Sequence, residues 1–129
     1  MGSGNLIRVL LVDDDVRVRQ TLSSILKPYS NIEVVGEASD GDEAVTGVEK
    51  LRPTVVIMDI SMRKMDGITA ARLIRAQYPG VLIVGCSAHT QEYNIYAMKR
   101  VCAFEALLKK EDATKDLYPA IQRVVTAVN

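Results

Sequence analysis

The sequence contains few of the residues from which several common kinds of site are built. Its 129 residues include no tryptophan, one histidine and two cysteines. Cys86 and Cys102 lie in or beside apolar segments, with neither a Cys-x-x-Cys spacing nor a histidine cluster nearby. We therefore expect buried free thiols in a reducing compartment, and neither a disulfide nor a cysteine-ligated metal.

An excess of one charge and long apolar runs are missing as well. Lys plus Arg and Asp plus Glu both total 16, so the formal net charge is zero. No basic block of the kind that neutralises nucleic-acid phosphates occurs. No apolar run reaches the length of a membrane span, and no signal peptide opens the chain. These features predict a cytoplasmic, soluble domain that itself binds neither nucleic acid nor membranes.

The length and composition suit one folded unit. With 48% hydrophobic and 25% charged residues, the chain can bury one full core, and a second domain does not fit. Residues 1–4, Met-Gly-Ser-Gly, look like an artificial leader. The domain is therefore expected to span 5–129.

Short apolar segments alternate with helical patterns along the chain. Apolar and β-branched runs predict five strands, at residues 6–12, 32–38, 54–58, 81–86 and 106–108. Apolar residues at helical spacing predict helices after Asp14 or Asp15, after Asp40, after Asp66 and after Asp116, and a weaker helix over 91–101. In the last helix, Pro119 is expected in the first turn, where proline is tolerated.

Strands that alternate with helices through short connections indicate an α/β fold. We predict a single doubly wound, five-stranded parallel sheet with the strand order 2-1-3-4-5. Such a sheet binds ligands outside the carboxyl ends of its strands, at the switch point between strands one and three. The loop carrying Asp13 and Asp14 should therefore meet the end of the strand that carries Asp59.

Five polar side chains follow the carboxyl ends of the predicted strands: Asp13, Asp14, Asp59, Ser87 and Lys109. Three crowded carboxylates repel one another unless protons or a cation relieve the repulsion, and oxygen ligands in a partly open site suit Mg²⁺. With such an ion, Asp59 is a candidate nucleophile towards phosphorus. Lys109 and Ser87 would then take up the charge and hydrogen bonds of the phosphoryl oxygens.

Each of these residues also has an ordinary structural explanation. An aspartate after a strand often caps a helix, a serine often forms a turn, and a lysine there is commonly a solvated surface residue. Their joint placement at one rim favours the functional interpretation. His89 follows in a polar turn, and we interpret it as a residue near the site and not as a catalytic base.

Five motifs, taken in order, resemble the receiver domain of bacterial two-component response regulators. They are LLVDDD at 10–15, GEASDGDEA at 36–44, MDISMRKMDG at 58–67, CSAH at 86–89 and LLKK at 107–110. GEASDG, SAH and LLKK are most similar to receivers of the LuxR/NarL group of transcription factors. The resemblance implies a flavodoxin-like receiver fold and a phosphorylation-controlled switch, not an enzyme acting on other substrates.

The resemblance also implies a role for each site residue. Asp59 would be the phosphoacceptor, and the ion, Mg²⁺ or Mn²⁺, would be bound by Asp59, by Asp14, by Asp13 through water and by the backbone carbonyl of Ser61. Ser61 would also help to set how fast the phosphoryl group is lost.

The remaining roles belong to the ends of strands four and five. By the same resemblance, Ser87 and Lys109 would contact the phosphoryl group, and Ala88 would leave room for it. The side chain of His89 would tune dephosphorylation together with that of Ser61.

Three positions depart from the common receiver pattern. Arg63 stands where many receivers carry a proline, and Lys110 stands where many have a proline after the lysine. Ala106 occupies the output switch position, which is usually aromatic. The usual coupling, in which an aromatic side chain turns inward as the Ser or Thr moves to the phosphate, therefore cannot operate here in that form.

The leading hypothesis is a switch that takes a phosphoryl group from a sensor histidine kinase onto Asp59. The helix surfaces offered to a partner or to a second copy of the chain would change as a result. The leader and the lack of a visible effector hint at a domain excised from a longer regulator, whose output is transcription through a helix-turn-helix DNA-binding domain absent from this chain.

Two alternatives come from other functional classes. Arg63 and Ala106 motivate a pseudo-receiver, an interaction module that signals without phosphoryl transfer. A Mg²⁺-dependent phosphatase with an aspartyl nucleophile is disfavoured, because residues 13–16 lack the glycine that usually follows the DxD pattern of such enzymes.

Overall fold

The sheet has five parallel strands in the computed structural model, which describes residues 6–60, 62, 66–88 and 104–128. The strands are β1 Ile7–Val12, β2 Ile32–Ala38, β3 Val55–Asp59, β4 Leu82–Ser87 and β5 Ala106–Lys109, in the order β2-β1-β3-β4-β5. The helices are α1 Val16–Leu26, α2 Gly41–Leu51, α3 Gly67–Gln77 and α4 Ala113–Ala127, and a 3₁₀ turn, Lys110–Asp112, precedes α4. The predicted fold class and strand order are confirmed. The helix predicted over 91–101 lies outside the described residues.

Alternation along the strands divides the core into two clusters, because successive side chains of a strand point to opposite faces. The first cluster joins one sheet face to α1 and α4 and includes Val9, Leu11, Val55, Ile57, Val84, Leu22, Leu117 and Ile121. The second joins the other face to α2 and α3 and includes Leu10, Val12, Val56, Met58, Ile83, Ala44, Ala70 and Ile74. Burial on both faces explains why β3 reads as a continuous apolar run.

The helix starts agree with the sequence at the first helix and differ at the last. The Asp15 side chain accepts a hydrogen bond from the Arg17 amide and caps α1, which decides between Asp14 and Asp15. The last helix, α4, begins at Ala113, so Asp116 lies inside its first turn and is not the cap. Pro119 is the seventh residue of α4, and the prediction that it lies in the first turn is wrong. The 3₁₀ turn runs directly into the helix and extends it backwards past Asp116, while Pro119 stays exposed.

Among the described residues, no helix is both long enough and apolar enough to cross a lipid bilayer.

Candidate functional site

Three carboxylates converge where β1 and β3 end. One oxygen from each of Asp13, Asp14 and Asp59 lies within 4.8 Å of the others. The side chains of Asp13 and Asp59 are almost completely buried, at 1% and 2% exposure, while Asp14 is exposed. Burial strengthens the repulsion between the charges, so this cluster needs a cation beside it. The donor set, three carboxylates with one side open to solvent, fits a hard divalent ion.

The loop carrying Asp13 is held by hydrogen bonds on several sides. The Asp13 amide donates to the carbonyl of Ala38 at 3.0 Å, and one Asp13 carboxylate oxygen accepts from the Asp15 amide at 2.9 Å. Arg19 of α1 donates to the Asp13 carbonyl and pairs with Glu37 of β2 at 2.7 Å. Arg19 therefore ties the ends of β1 and β2 together and fixes the backbone from which Asp13 projects.

The backbone after Asp59 packs tightly against the start of α3. The Gly67 amide donates to the Ile60 carbonyl at 3.3 Å, and the Ile60 amide donates to the Cys86 carbonyl at 3.2 Å. A Cβ atom on Gly67 would lie 2.2 Å from the Asp59 carbonyl oxygen and 2.6 Å from the Ile60 Cα. Only glycine fits here without moving the carboxylate-bearing backbone. Gly67, the first residue of α3, therefore lets this helix approach Asp59 closely.

The cation beside the carboxylates comes from Lys110 and not from Lys109. The Lys110 ammonium lies 2.6 Å from an Asp13 carboxylate oxygen and 3.4 Å from an Asp59 carboxylate oxygen. Lys109 is the last residue of β5, pairs in register with Ser87 and is exposed. The structure places Lys110 next to the carboxylates, and the predicted contact of Lys109 with the phosphoryl group stays a prediction.

The reason for this difference is strand alternation. Ala106 and Leu108 pack on the first core cluster, the one shared with α1 and α4. The next residue with the same parity is Lys110, and the alternating positions of β1 and β3 that lead to Asp13 and Asp59 belong to that same cluster. Lys109 has the opposite parity and points away from it. The LLKK motif contains two adjacent lysines, so the motif alone does not show which of them faces the carboxylates.

Two ionisable groups at the site have altered pKa values. Burial is the largest influence on the pKa of Lys110 and lowers it, but the hydrogen bond to Asp13 and the charges of Asp59 and Asp13 outweigh burial and raise the pKa. Lys110 is therefore charged at neutral pH. Burial raises the pKa of the Cys86 thiol to about 12, against the opposing charge of Lys110. Cys86 is a buried free thiol, as expected, and stays neutral; Cys102 lies outside the described residues.

The other residues singled out by sequence fall into two groups. Ser87 is buried at the carboxyl end of β4 and Ala88 is exposed beside it, so both lie at the rim where they were expected. Ala106 is half-buried and packs against the first core cluster. Ser61 and His89 lie outside the described residues, so the roles assigned to them stay predictions.

Sequence reasoning missed Arg19, Gly67 and Lys110 as parts of this site. The place of Lys110 follows from the alternation of side chains along a strand, once Leu108 is assigned to the core. Arg19 carries a weaker signal, a charged residue one turn after the cap of α1. Nothing in the sequence states that Gly67 touches the Asp59 carbonyl, because that contact forms only when α3 docks.

Comparison with known proteins identifies the shared part of the chain. Residues 9–122 match the family model of the response regulator receiver domain. LiaR of Bacillus subtilis (strain 168), a transcriptional regulatory protein, is 37% identical over 110 residues, covering 85% of this chain and 52% of LiaR. A protein-glutamate methylesterase/protein-glutamine glutaminase of Pyrococcus abyssi is 46% identical over 90 residues, covering 70% of this chain but 24% of that enzyme.

Solved structures agree with this match. The RcsB response regulator of Salmonella typhimurium superposes with a TM-score of 0.88 at 25% identity, covering 95% of this chain and 61% of RcsB. The response regulator domain of Thermotoga maritima CheB gives a TM-score of 0.84 at 29% identity, covering 92% of this chain and 95% of that domain.

The chain matches only part of the length of these curated relatives. The chain spans 52% of LiaR and 24% of the methylesterase, so their activities as whole proteins are not carried by the match. The segment that the family model covers contains Asp13, Asp14 and Asp59. The chain belongs to the response regulator receiver domain family.

Proposed function

We propose that this receiver domain accepts a phosphoryl group on Asp59 from a sensor histidine kinase and acts as a phosphorylation-controlled switch. The observation that carries the proposal is the convergence of Asp13, Asp14 and Asp59 beside the Lys110 ammonium. A new bond would form between an Asp59 carboxylate oxygen and phosphorus as the bond between phosphorus and the donor atom breaks. The reaction needs mainly positioning of the reacting groups and neutralisation of the phosphoryl charge. The fixed carboxylates can supply the first, and the Lys110 ammonium with a bound divalent ion can supply the second.

The same geometry supports a divalent ion, Mg²⁺ or Mn²⁺, as cofactor. Asp13, Asp14 and Asp59 would hold it, with the Ser61 carbonyl as a further predicted ligand. When bound, the ion supplies charge neutralisation between the carboxylates and the phosphoryl oxygens. The protein's own part is to keep Asp13 in place through Arg19 and the Asp15 amide, and Asp59 through the packing of Gly67. The buried Ser87 side chain is proposed to donate a hydrogen bond to the phosphoryl group, with Ala88 leaving room beside it.

Phosphorylation is proposed to change which of two conformations is populated. To move a two-state equilibrium from mostly off to mostly on, the phosphoryl group must favour one state by roughly 5.5 kcal/mol. The changed surface would be recognised by a second copy of the chain or by an output domain. Similarity to LiaR, a transcriptional regulatory protein, supports transcription as the output. We propose that this output acts in the cytoplasm through a DNA-binding domain, with DNA contacted by that domain and not by this one.

Phosphorylation with a small-molecule donor tests the proposal. The protein is incubated with phosphoramidate and Mg²⁺, and the mass of the intact chain is measured. We expect one added phosphate, none in Asp59→Asn, and none in the wild type when EDTA removes the ion. Asp42→Asn, an exposed carboxylate in the first turn of α2, is the matched control and should be labelled like the wild type. Equal labelling of Asp59→Asn would overturn the assignment of Asp59 as phosphoacceptor, and no labelling of the wild type would overturn the proposal and favour the pseudo-receiver.

A further inference from the structure

We infer that Lys110, and not the Lys109 that the LLKK motif selects, is the cation that meets the phosphoryl group, and that Glu105 is the positioning residue that makes this choice. The inference rests on the proposed function, because it concerns the same reaction at Asp59. It concerns the register of β5, on which the placement of every residue from Phe104 to the 3₁₀ turn depends.

The two lysines can exchange places only if β5 slides by one residue. A slip of one residue in a strand turns every side chain to the opposite face. In the observed register Val84 pairs with Ala106 and Ser87 with Lys109, so Lys110 continues the row that faces Asp13 and Asp59. In the slipped register Lys109 would take that place, and Ala106 and Leu108 would leave the first core cluster.

Glu105 fixes the observed register from both its backbone and its side chain. Its amide donates to the Ile83 carbonyl at 2.8 Å, and its carboxylate accepts from the Ile83 amide at 2.6 Å. Both carboxylate oxygens also accept from Arg75 of α3 at 2.6 Å. Arg75 in turn donates to the carbonyls of Pro79 and Val81. The start of β5 is thus tied to one residue of β4 and to the end of α3.

The packing against Gly85 supports the same register independently of charge. A Cβ atom on Gly85 would lie 2.7 Å from the Leu107 side chain and 2.8 Å from the Phe104 ring. These two side chains fill the space that the missing Cβ leaves on β4. A slip by one residue would bring the small Ala106 over Gly85 and leave that space empty.

A pair of neighbouring substitutions tests which lysine acts. Lys110→Ala and Lys109→Ala each remove one ammonium from the same motif, so each serves as the control for the other. Two quantities are measured with Mg²⁺ present: the rate of Asp59 labelling by phosphoramidate, and the affinity for beryllofluoride, a phosphoryl mimic, by ¹⁹F NMR. We expect Lys110→Ala to weaken both by about tenfold or more and Lys109→Ala to stay within about twofold of the wild type. Lys110→Arg, which keeps the charge, should recover part of the affinity.

The outcomes separate this inference from the proposed function. If Lys109→Ala alone, both variants equally, or neither variant weakens labelling and beryllofluoride binding, the inference is overturned. The proposed function then still stands on the loss of labelling in Asp59→Asn.

The role of Glu105 is tested by whether the lysine dependence changes. A Glu105→Ala background loses the side-chain bonds to the Ile83 amide and to Arg75 and keeps only the backbone bond to Ile83, so Lys110→Ala should cost less than in the wild type and Lys109→Ala should cost more. A merely structural contribution of Glu105 would lower stability without moving the dependence from one lysine to the other. An unchanged ratio of the two effects would remove Glu105 from the explanation. If the background does not fold, Arg75→Met serves for the same comparison, because it removes the guanidinium nitrogen that donates to both Glu105 carboxylate oxygens.

Discussion

The centre of the sheet and its β5 edge position their functional residues in different ways. All five residues of β3 are buried, whereas the four residues of β5 are half-buried or exposed. In the centre, two covering layers of helices leave only one face assignment for each side chain, so Asp59 follows from the apolar pattern. At the edge the pattern is weaker, and the choice between Lys109 and Lys110 depends on Glu105, Arg75 and the packing on Gly85. In this site, burial sets the position of Asp59, whereas specific contacts between side chains set the position of Lys110.

The largest expected effect is the loss of stability when a core side chain of β3 is truncated, compared with the same change in β5. Ile57→Ala removes a completely buried side chain from β3 and should lower the free energy of unfolding by about 3 to 5 kcal/mol, since the cavity cannot collapse between two helical layers. Leu108→Ala removes a side chain of similar volume from β5, where it is half-buried, and should cost about 1 to 2 kcal/mol. Urea unfolding followed by circular dichroism measures both. Equal losses would mean that the β5 edge is packed as firmly as the centre.

Gly67→Ala is expected to disturb the central region next to the phosphoacceptor. Its Cβ atom would meet the Asp59 carbonyl at 2.2 Å, so the start of α3 and the Asp59 backbone must separate. We expect a loss of about 1 to 3 kcal/mol in stability, together with slower labelling of Asp59 by phosphoramidate. Gly80→Ala is the control, because a Cβ atom there meets nothing within 4 Å. A Gly67→Ala variant as stable and as readily labelled as Gly80→Ala would contradict the close approach.

The edge contact between Glu105 and Arg75 should contribute less to stability than either core change. The two side chains are 25% and 29% exposed for Arg75 and Glu105, so solvent screens their charges. A double-mutant cycle with Glu105→Gln and Arg75→Met should give a coupling of about 0.5 to 1.5 kcal/mol, because charge-assisted hydrogen bonds of 2.6 Å join the two half-buried side chains. Coupling near zero would mean that the backbone bonds to Ile83 hold β5 without the ion pair. The free energy of unfolding of each variant is measured with urea, because guanidinium chloride is a salt and would screen the charges of the pair.

The sequence predicted well wherever alternation and caps decide the structure. Five strands, their order, a cap of α1 at Asp14 or Asp15 and the convergence of Asp13, Asp14 and Asp59 all follow from local apolar patterns, cap preferences and the switch-point rule. These features are decided within one element, or by which strands lie next to each other. They need no knowledge of individual side-chain contacts.

The sequence predicts less where a contact between distant residues decides. Lys109 was predicted to contact the phosphoryl group from its place at a strand end and from the LLKK motif, whereas the ammonium next to the carboxylates in the structure is that of Lys110. The register of β5, which we infer to set this choice, involves Ile83, more than twenty residues earlier in the chain. The start of α4 was placed at Asp116 because a cap was sought, yet the helix begins at Ala113 directly from a 3₁₀ turn, with no side-chain hydrogen bond from Asp112. Neither contact leaves a local trace in composition or spacing.

The smallest expected effect is the lack of a reaction at Cys86, which tests whether the central strands are sealed up to the site. Its side chain is 1% exposed, and burial raises the pKa of the thiol to about 12. Because only the thiolate is nucleophilic, Cys86 in a Cys102→Ser variant should not react with iodoacetamide at pH 8 in the native state, and should react when urea unfolds the chain. Below pH 9, the ordinary value for a thiol, both states keep the proton; between 9 and about 12 only the unfolded state loses it, so the free energy of unfolding should fall as pH rises through that window. Mass spectrometry follows the alkylation. Rapid labelling of the native protein would show that water and reagent reach β4 beside Asp59. The centre of the sheet would then exclude solvent no better than its β5 edge does.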